Sequence, residues 1–500
     1  MKINRIYIYI IIVICPFLLI TTAFAFSLEN NESGTDLLSY FSKVHLKKGL
    51  DFTGYLGQTA SWGDFNNDGC LDLFISNTDI NDHPATYLFK NLCNGKFVEL
   101  NSSIGISDKW PIRSSAWADY DNDGYIDLVL GGIDVYMKPF LYNNQDGIIF
   151  DERSTFAGLS EEGVGKSFIW IDYNLDGLVD LFETSYGLRL YKNLGKDGFK
   201  EVSFDSGIAG FGKGANSSIW LDYNNDSYPD LLILRRGTNV LLKNNGDETF
   251  SDVTEQAKVK GNKRWRSVAS CTGDFNNDGF FDIYVVNIGS SRNSLYRNNG
   301  DGTFTDITYD SATADVGDGR TCSFVDFDSD GLVDIFTTNH VNPSKMFRNL
   351  GNEMFKDVAK SLGIHVPIDV FSAAWGDFNG DAVLDVFLNG HIGQALYRGF
   401  NINNSFTVEL IGDGINTNTS AIGSRVIVKS GSTDQVKEVS GGKGCCEQDM
   451  LPLHFGLGKE SVFEMAVKWT SGKTCTYNNL NVEDARIYKI WEKDCVVFSR

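Results

Sequence analysis

A nine-residue phrase of the form D-[FY]-[ND]-x-D-x-x-[apolar]-D recurs seven times between residues 64 and 385. The copies run Asp64–Asp72, Asp119–Asp127, Asp172–Asp180, Asp222–Asp230, Asp274–Asp282, Asp326–Asp334 and Asp377–Asp385, and their starts lie 55, 53, 50, 52, 52 and 51 residues apart. A period that steady marks a repeat array, in which each unit is too small to bury its own core and is stabilised by its neighbours. Whatever fold the chain adopts must therefore be built from seven similar, mutually packed pieces.

The phrase also spells a metal site. Oxygen side chains at positions 1, 3, 5 and 9 converge on a hard cation, joined by the main-chain carbonyl of position 7. The ligand sets are Asp64, Asn66, Asp68, Cys70 and Asp72; Asp119, Asp121, Asp123, Tyr125 and Asp127; Asp172, Asn174, Asp176, Leu178 and Asp180; and Asp222, Asn224, Asp226, Tyr228 and Asp230. Loops five to seven supply Asp274, Asn276, Asp278, Phe280 and Asp282; Asp326, Asp328, Asp330, Leu332 and Asp334; and Asp377, Asn379, Asp381, Val383 and Asp385. Asp, Asn and Gly form turns for reasons of their own. Ordinary turn chemistry, however, has no need of an Asp at position 9 in every copy. About seven Ca²⁺ ions are expected, since flexible cages made only of protein oxygens suit Ca²⁺ better than Mg²⁺. Position 6 is Gly in five loops, where positive φ is expected. Ser227 and Ala382 replace it in loops four and seven, which ranks those sites weaker.

An EF-hand is excluded by position 12, which reads Ile75, Leu130, Glu183, Ile233, Val285, Thr337 and Leu388 where Glu is needed. Short apolar runs such as 73–76, 128–130, 283–286 and 386–388 follow the loops and read as strands. Position 2 is always aromatic, and Trp62, Trp117, Trp170, Trp220 and Trp375 stand two residues before their loops, a pattern of packing between units. A Y-x-N-like strand, a Gly-rich turn and an F-x-[DE] segment (Phe97, Phe150, Phe199, Phe250, Phe304, Phe355) complete each period. Three or four short strands per period, repeated seven times, describe an all-β, seven-bladed β-propeller with blades of four-stranded sheet.

The loops with their Phe250–Thr254 and Phe304–Thr308 strands resemble FG-GAP/VCBS repeats, the units of integrin α-subunit propellers. The tail resembles the UnbV/ASPIC module through Phe406–Leu410, Ala421–Gly423, Glu438–Gly442, His454–Gly458 and Val467–Gly472, although Thr419 and Ser420 replace the usual Asn-Arg pair before Ala421. The combination is similar to the cartilage acidic protein family. That resemblance implies an extracellular, calcium-loaded, adhesive or matrix-associated protein with an extracellular protein or glycan partner, and it implies no reaction. The expected organisation is a leader over 1–25, a propeller over 26–400 and a small β-rich UnbV/ASPIC domain over 401–495.

Lys2 and Arg5, an apolar stretch from Ile6 to Ile20, and Ala23-Phe-Ala25 form a secretory signature, with a retained anchor as the alternative. Beyond it no apolar run reaches the length of a membrane span, so no transmembrane segment is expected in the mature chain. The formal net charge is −21, and the acids at loop positions 1, 3, 5 and 9 account for the excess. Without metal these clustered carboxylates repel, so calcium is expected to select the folded state. Nucleic acid is excluded as a partner, because no basic stripe is present.

Eight of nine cysteines follow the leader, an even count suited to an oxidising compartment. If strands 72–77 and 86–91 pair about a turn at 78–85, Cys70 faces Cys93. Cys271 and Cys322 occupy equivalent strands of adjacent blades and are expected to bridge them. Cys445, Cys446, Cys475 and Cys495 fall in the tail; a bond between neighbours 445 and 446 is strained, which leaves two cross-pairings, with zinc binding by the quartet as the alternative. Gly163–Ser167 imitates a P-loop in the wrong context. The six histidines (45, 83, 340, 365, 391, 454) form no ligand spacing. Sequons stand at Asn31, Asn101, Asn216, Asn225, Asn403 and Asn418, of which Asn225 lies inside loop four.

Ring closure follows from counting strands. The last blade ends near Tyr397-Arg-Gly without an F-x-[DE] strand of its own, and a spare copy, Tyr40-Phe-Ser-Lys-Val44, stands at the other end of the chain, followed by Gly49-Leu50. Residues 40–44 are therefore expected to pair beside 395–398, with Phe406 as the rival. A calcium-stabilised binding scaffold without catalysis is the expected function. The alternatives are a cell-envelope enzyme or a lectin acting on polysaccharide through a propeller cleft.

Overall fold

The computed structural model describes residues 40–44, 57–77, 85–133, 137–159, 165–185, 187–289, 291–366, 369–391 and 393–499. Residues 1–25, where a leader is expected, His45, His83, Gly49-Leu50, the start of the P-loop imitation and Asn31 lie outside them. Each acidic loop joins two antiparallel strands, and the apolar run after it is the buried second strand of a four-stranded sheet. The repeats give seven such sheets, and the inner strands are Gly57–Gly63, Ile112–Ala118, Ser167–Ile171, Ala215–Leu221, Ser267–Gly273, Gly319–Val325 and Val370–Gly376. Inner strands of consecutive sheets pack on one another, and that of the first sheet packs on that of the seventh. The architecture is that of a β-propeller.

Aromatic packing joins the sheets, as the repeated aromatics predict. Phe150 on the outer strand of the second sheet touches Trp117 of its own sheet (6.1 Å between centroids) and Phe65 of loop one (5.8 Å). Phe199 and Phe250 repeat this with Trp170 and Tyr120, and with Trp220 and Tyr173.

A second device was not legible as such in the sequence. In the first six sheets the Asn at or next to the end of the third strand donates its side-chain N–H groups both to its own loop and to the main-chain carbonyl of position 2 in the preceding loop. The cross-sheet bonds are Asn144 to Phe65, Asn193 to Tyr120, Asn244 to Tyr173, Asn298 to Tyr223 and Asn349 to Phe275, all 2.7–2.8 Å. Asn91 makes the same 2.7 Å bond to Phe378, tying the first sheet to the seventh. Replacing Asn298 with Ala strands buried carbonyls of Tyr223 and Phe281. We expect a loss of about 2–4 kcal/mol, read by urea unfolding. A loss no larger than that of an exposed-surface control would show that the latch carries nothing.

The seventh sheet carries Gly399 where the others carry this Asn, and it closes in the expected way. Phe41–Lys43 pairs antiparallel with Gly393–Gly399, with Phe41 opposite Gly399, Ser42 opposite Arg398 and Lys43 opposite Tyr397. Val44 donates its N–H to Leu396 (2.8 Å), and Phe400 donates to Tyr40 (2.8 Å). The Phe41 ring meets Trp375 of its own sheet (5.9 Å) and Phe327 of loop six (6.3 Å), the same pair of contacts that Phe150 makes. Phe406 instead stacks on Phe455 and Phe463 in the tail.

The tail forms two further four-stranded sheets. One contains Asn404–Ile411, Leu453–Gly458, Ile487–Trp491 and Val496–Ser499; the other contains Arg425–Ser430, Thr433–Glu438, Val462–Lys468 and Thr474–Asn481. Their core is continuous with propeller residues Ala116, Trp170 and Phe199. Between them residues 441–450 leave the tail and fill the space enclosed by the inner strands. Glu447–Gln448 adds as a parallel strand beside Ala60–Ser61. Gln448 accepts from the N–H of Trp117 (2.6 Å) and donates to its carbonyl (3.0 Å). Trp170 N–H donates to Gly441 (3.0 Å), Ser217 donates to Gly444, Thr321 to Glu447, and Met450 N–H to Trp375 (3.0 Å). A single tail segment thus touches inner strands all round the ring, satisfying polar groups that solvent would otherwise have to reach.

Candidate metal centres

Loop one shows the plan. Asp64 accepts the N–H of Asp68 (3.0 Å) and of Gly69 (2.8 Å), and Asp68 accepts that of Cys70 (3.1 Å). Asp72, fully buried, accepts from Phe65 at the loop head (3.3 Å) and from Asn91 on the third strand (2.7 Å). The bonds to positions 1 and 9 repeat in all six remaining loops. Main-chain donors therefore fix the direction of the carboxylates at positions 1 and 9, and side chains reach some of them as well: Thr419 donates to Asp119, Asn143 to Asp127 (3.1 Å), and Arg425 pairs with Asp222 (3.2 Å). Position 9 does have a structural task, contrary to the expectation from sequence, because this Asp pins the loop head to the third strand.

The carboxylates come together. In loops two, four and six, Asp119, Asp121 and Asp127; Asp222, Asp226 and Asp230; and Asp326, Asp328 and Asp334 offer oxygens within 4.8 Å of one another. Asp328 Oδ1 is buried without a hydrogen-bond partner. A cluster of hard oxygens with one left unpartnered fits a divalent cation, so these clusters could hold metal ions. Asp68, Cys70 and Cys93 also cluster, but both sulfurs are spent in a disulfide.

Burial is the main cause of the raised carboxyl pKa values. It pushes Asp72 and Asp230 up to about 8, Asp119, Asp172 and Asp274 to about 7, and Asp64 and Asp377 to about 6. The residue between the Tyr and Asn positions of the third strand places a cation beside four of the loops. Lys90 meets Asp68 (3.2 Å), Lys243 meets Asp226 (3.2 Å), Arg348 meets Asp328 (2.6 Å) and Asp330 (3.3 Å), and Arg398 meets Asp381 (2.8 Å).

Backbone geometry explains the glycines. Position 6 is left-handed in every loop, from Gly69 (φ 85°) to Gly331 (φ 89°), and Ser227 (φ 74°) and Ala382 (φ 62°) adopt it as well. Those two pay a strain that Gly avoids, yet Ser227 donates to Asp222 as Gly69 does to Asp64, and loop four keeps its three carboxylates together. Position 4 is left-handed too (Asn67, Asn122, Leu175, Asn225, Asn277, Ser329), and loop seven puts its glycine there as Gly380. The Asn at this position links neighbouring loops: Asn67 donates to Gly124 (2.8 Å), Asn122 to Gly177 (3.0 Å), Asn225 to Gly279 (3.0 Å) and Asn277 to Gly331 (3.1 Å).

Loops one, two and seven and the tail sheet enclose a cleft of about 440 Å³, edged by Asp64, Asp119, Asp377, Glu409, Lys489 and Trp491. Elsewhere His340 and His391 both turn Nδ1 to Asp369 (2.6 and 2.7 Å), a grouping that sequence spacing does not show. Among the described residues no helix is long and apolar enough to cross a membrane.

Among the described residues three disulfides are formed. Cys70–Cys93 and Cys271–Cys322 are those expected, the second joining inner strands of adjacent sheets. Cys475–Cys495 overturns both cross-pairings and the zinc quartet, because it uses up the two tail cysteines that 445 and 446 would need. Residues 445 and 446 lie in the segment inside the ring, away from the tail core that holds Cys475.

The FG-GAP-like repeat family matches residues 53–130, 172–233, 222–285, 274–337 and 326–388, more than half of the chain. The chain belongs to the FG-GAP repeat family. The ASPIC and UnbV family matches residues 414–495 of this FG-GAP protein. Cartilage acidic protein 1 of Homo sapiens is 25% identical over 411 residues, covering 72% of this chain and 60% of the relative; that of Xenopus tropicalis is 27% identical over 330 residues, 59% and 50%. The chain thus spans 50–60% of the length of these relatives. Among solved structures it is similar to an Agrocybe aegerita lectin that recognises non-reducing terminal N-acetylglucosamine (TM-score 0.40, 19% identity, 62% of this chain and 80% of that one). It is also similar to the BP39L lectin of Burkholderia pseudomallei (TM-score 0.46, 11% identity, 70% and 97%).

Proposed function

We propose that the protein is an exported binding scaffold whose loops hold about seven structural Ca²⁺ ions and which carries out no catalysis. The observation that carries this reading is the sevenfold repetition of one loop geometry, in which main-chain N–H groups aim buried carboxylates inward. Side chains at positions 1, 3, 5 and 9 would hold the ion with the carbonyl of position 7; what the metal supplies is neutralisation of carboxylates that burial otherwise disfavours. Three disulfides support an oxidising, extracellular setting. A protein or glycan partner is in keeping with the kinship to cartilage acidic protein 1.

Metal analysis of the full-length protein after equilibration with millimolar calcium tests the reading. We expect several equivalents of calcium per chain, with affinities on the order of 10⁻⁴–10⁻³ M and the weakest sites in loops four and seven. Fewer than four calcium ions at saturation, or zinc in their place, would overturn it.

A further inference from the structure

Six of the eight cysteines after the leader are joined in three disulfides, which leaves Cys445 and Cys446. These neighbours lie in the segment that fills the ring, with their Sγ atoms 2.9 Å apart. The backbone is built to keep them so. Cys446 takes a left-handed φ of 50°, unusual for a residue with a side chain. Its carbonyl accepts from Thr59 of the first sheet, the carbonyl of Gly444 accepts from Ser217 of the fourth, and the next two residues are fixed as a strand beside Ala60–Ser61. Cys445 packs against the cluster of Ala269, Cys271 and Cys322 and is half-buried, while Cys446 is buried. Among the described residues every other cysteine is already paired, which leaves these two only each other.

We propose that Cys445 and Cys446 are a modification site, closing on each other to form a fourth, vicinal disulfide at the tip of the ring-filling segment. This reverses the sequence-level preference, which set the neighbouring pair aside for strain; here ring contacts impose the required turn before any bond is made. The step joins Sγ of Cys445 to Sγ of Cys446, and each thiol gives up one proton and one electron. Both protons and both electrons pass to the disulfide of an exchange partner of the export compartment, such as glutathione disulfide, which leaves as two thiols. Attack needs a thiolate. The hydrogen bond with Cys445, followed by the guanidiniums of Arg113 and Arg320, holds the Cys446 thiol below its ordinary range despite burial.

The chain itself supplies a clean readout, because Lys443 and Lys459 flank a tryptic peptide, 444–459, that holds these two cysteines and no others. The full chain, expressed into an oxidising compartment, is unfolded in guanidinium with iodoacetamide and no reductant, then digested and weighed. The expected peptide is unalkylated and lighter than the dithiol by two hydrogen atoms, and it takes up two alkyl groups only after reduction. Two alkyl groups without reduction, or a bond from either residue to another cysteine, would overturn the proposal. The variant Cys475→Ser/Cys495→Ser should still yield the closed 444–459 peptide. Free thiols at 445 and 446 in that variant would mean that the tail cysteines, and not each other, are their partners. The reading of the acidic loops as calcium sites plays no part in this result.

Discussion

Chelation of calcium is expected to lower the melting temperature of the folded protein by on the order of 10 °C, and by more at pH 8 than at pH 5. At tenfold excess over its Kd, an ion bound only by the folded state contributes about 1.4 kcal/mol. Seven such sites sum to about 10 kcal/mol, and at about 2.1 cal/mol/K of unfolding entropy per residue each kcal/mol is worth about 1 °C in a chain of this size. The pH sign follows from the direction of the carboxyl shifts. Burial raises the folded-state pKa of Asp64 and Asp377 to about 6, of Asp119, Asp172 and Asp274 to about 7, and of Asp72 and Asp230 to about 8, from an unfolded value near 4. Such groups favour the folded state most below the unfolded value. That contribution is lost as pH rises through the folded values. The calcium-free protein should therefore weaken between pH 5 and pH 8, whereas the loaded protein, whose carboxylates are held ionised by the cation, should change little. Differential scanning calorimetry with and without chelator at the two pH values is the measurement. An equal chelator effect at both, or a larger one in acid, would contradict the account.

The second large effect is expected at the clasp. Phe41 is 4% exposed, and its ring fills the space between Trp375 and Phe327. Truncating such a side chain to Ala costs about 3–5 kcal/mol. The junction it serves shares an apolar cluster with Phe336, Met346 and Leu388 but lacks the latch Asn, which Gly399 replaces. Asn401 and Asn403 of the linker reach Ser329 Oγ (2.7 Å) and the Asp328 carbonyl (2.8 Å) in its stead. Phe41→Ala should destabilise the protein by that amount in urea. Deleting residues 26–44 should do more, because it also bares the hydrogen-bonding edge of Gly393–Gly399 and invites intermolecular pairing. Melting of the deletion variant like the full chain, with no aggregation, would show that the edge is protected by something else. The same truncation at Phe304, on an outer strand within the array, is the control for a ring contact away from the closure.

What the sequence determined by itself was everything written in the repeat. The loop phrase, the aromatics before and within it, and the F-x-[DE] strand describe local geometry seven times over, so each copy checks the others. The missing fourth strand of the last sheet, after Tyr397-Arg-Gly, and the spare copy at Phe41 follow from the same grammar. The pairings 70–93 and 271–322 also follow from it, because strand register and blade equivalence are properties of the repeat.

The tertiary structure decided what occurs once. Residues 441–450 carry no period and no strand alternation strong enough to announce that they fill the ring. Their partners, Ala60, Trp117, Trp170 and Trp375, lie far away in the chain, and only closure of the ring brings these to one place. The tail cysteines were misjudged for that reason: proximity in sequence suggested a quartet, while packing sent 475 and 495 to the tail core and 445 and 446 to the ring. The jobs of Asn298 and Asp72 were hidden differently. A side chain that both shapes a turn and bonds across a sheet junction has one letter for two tasks, and only the position of its neighbours reveals the second.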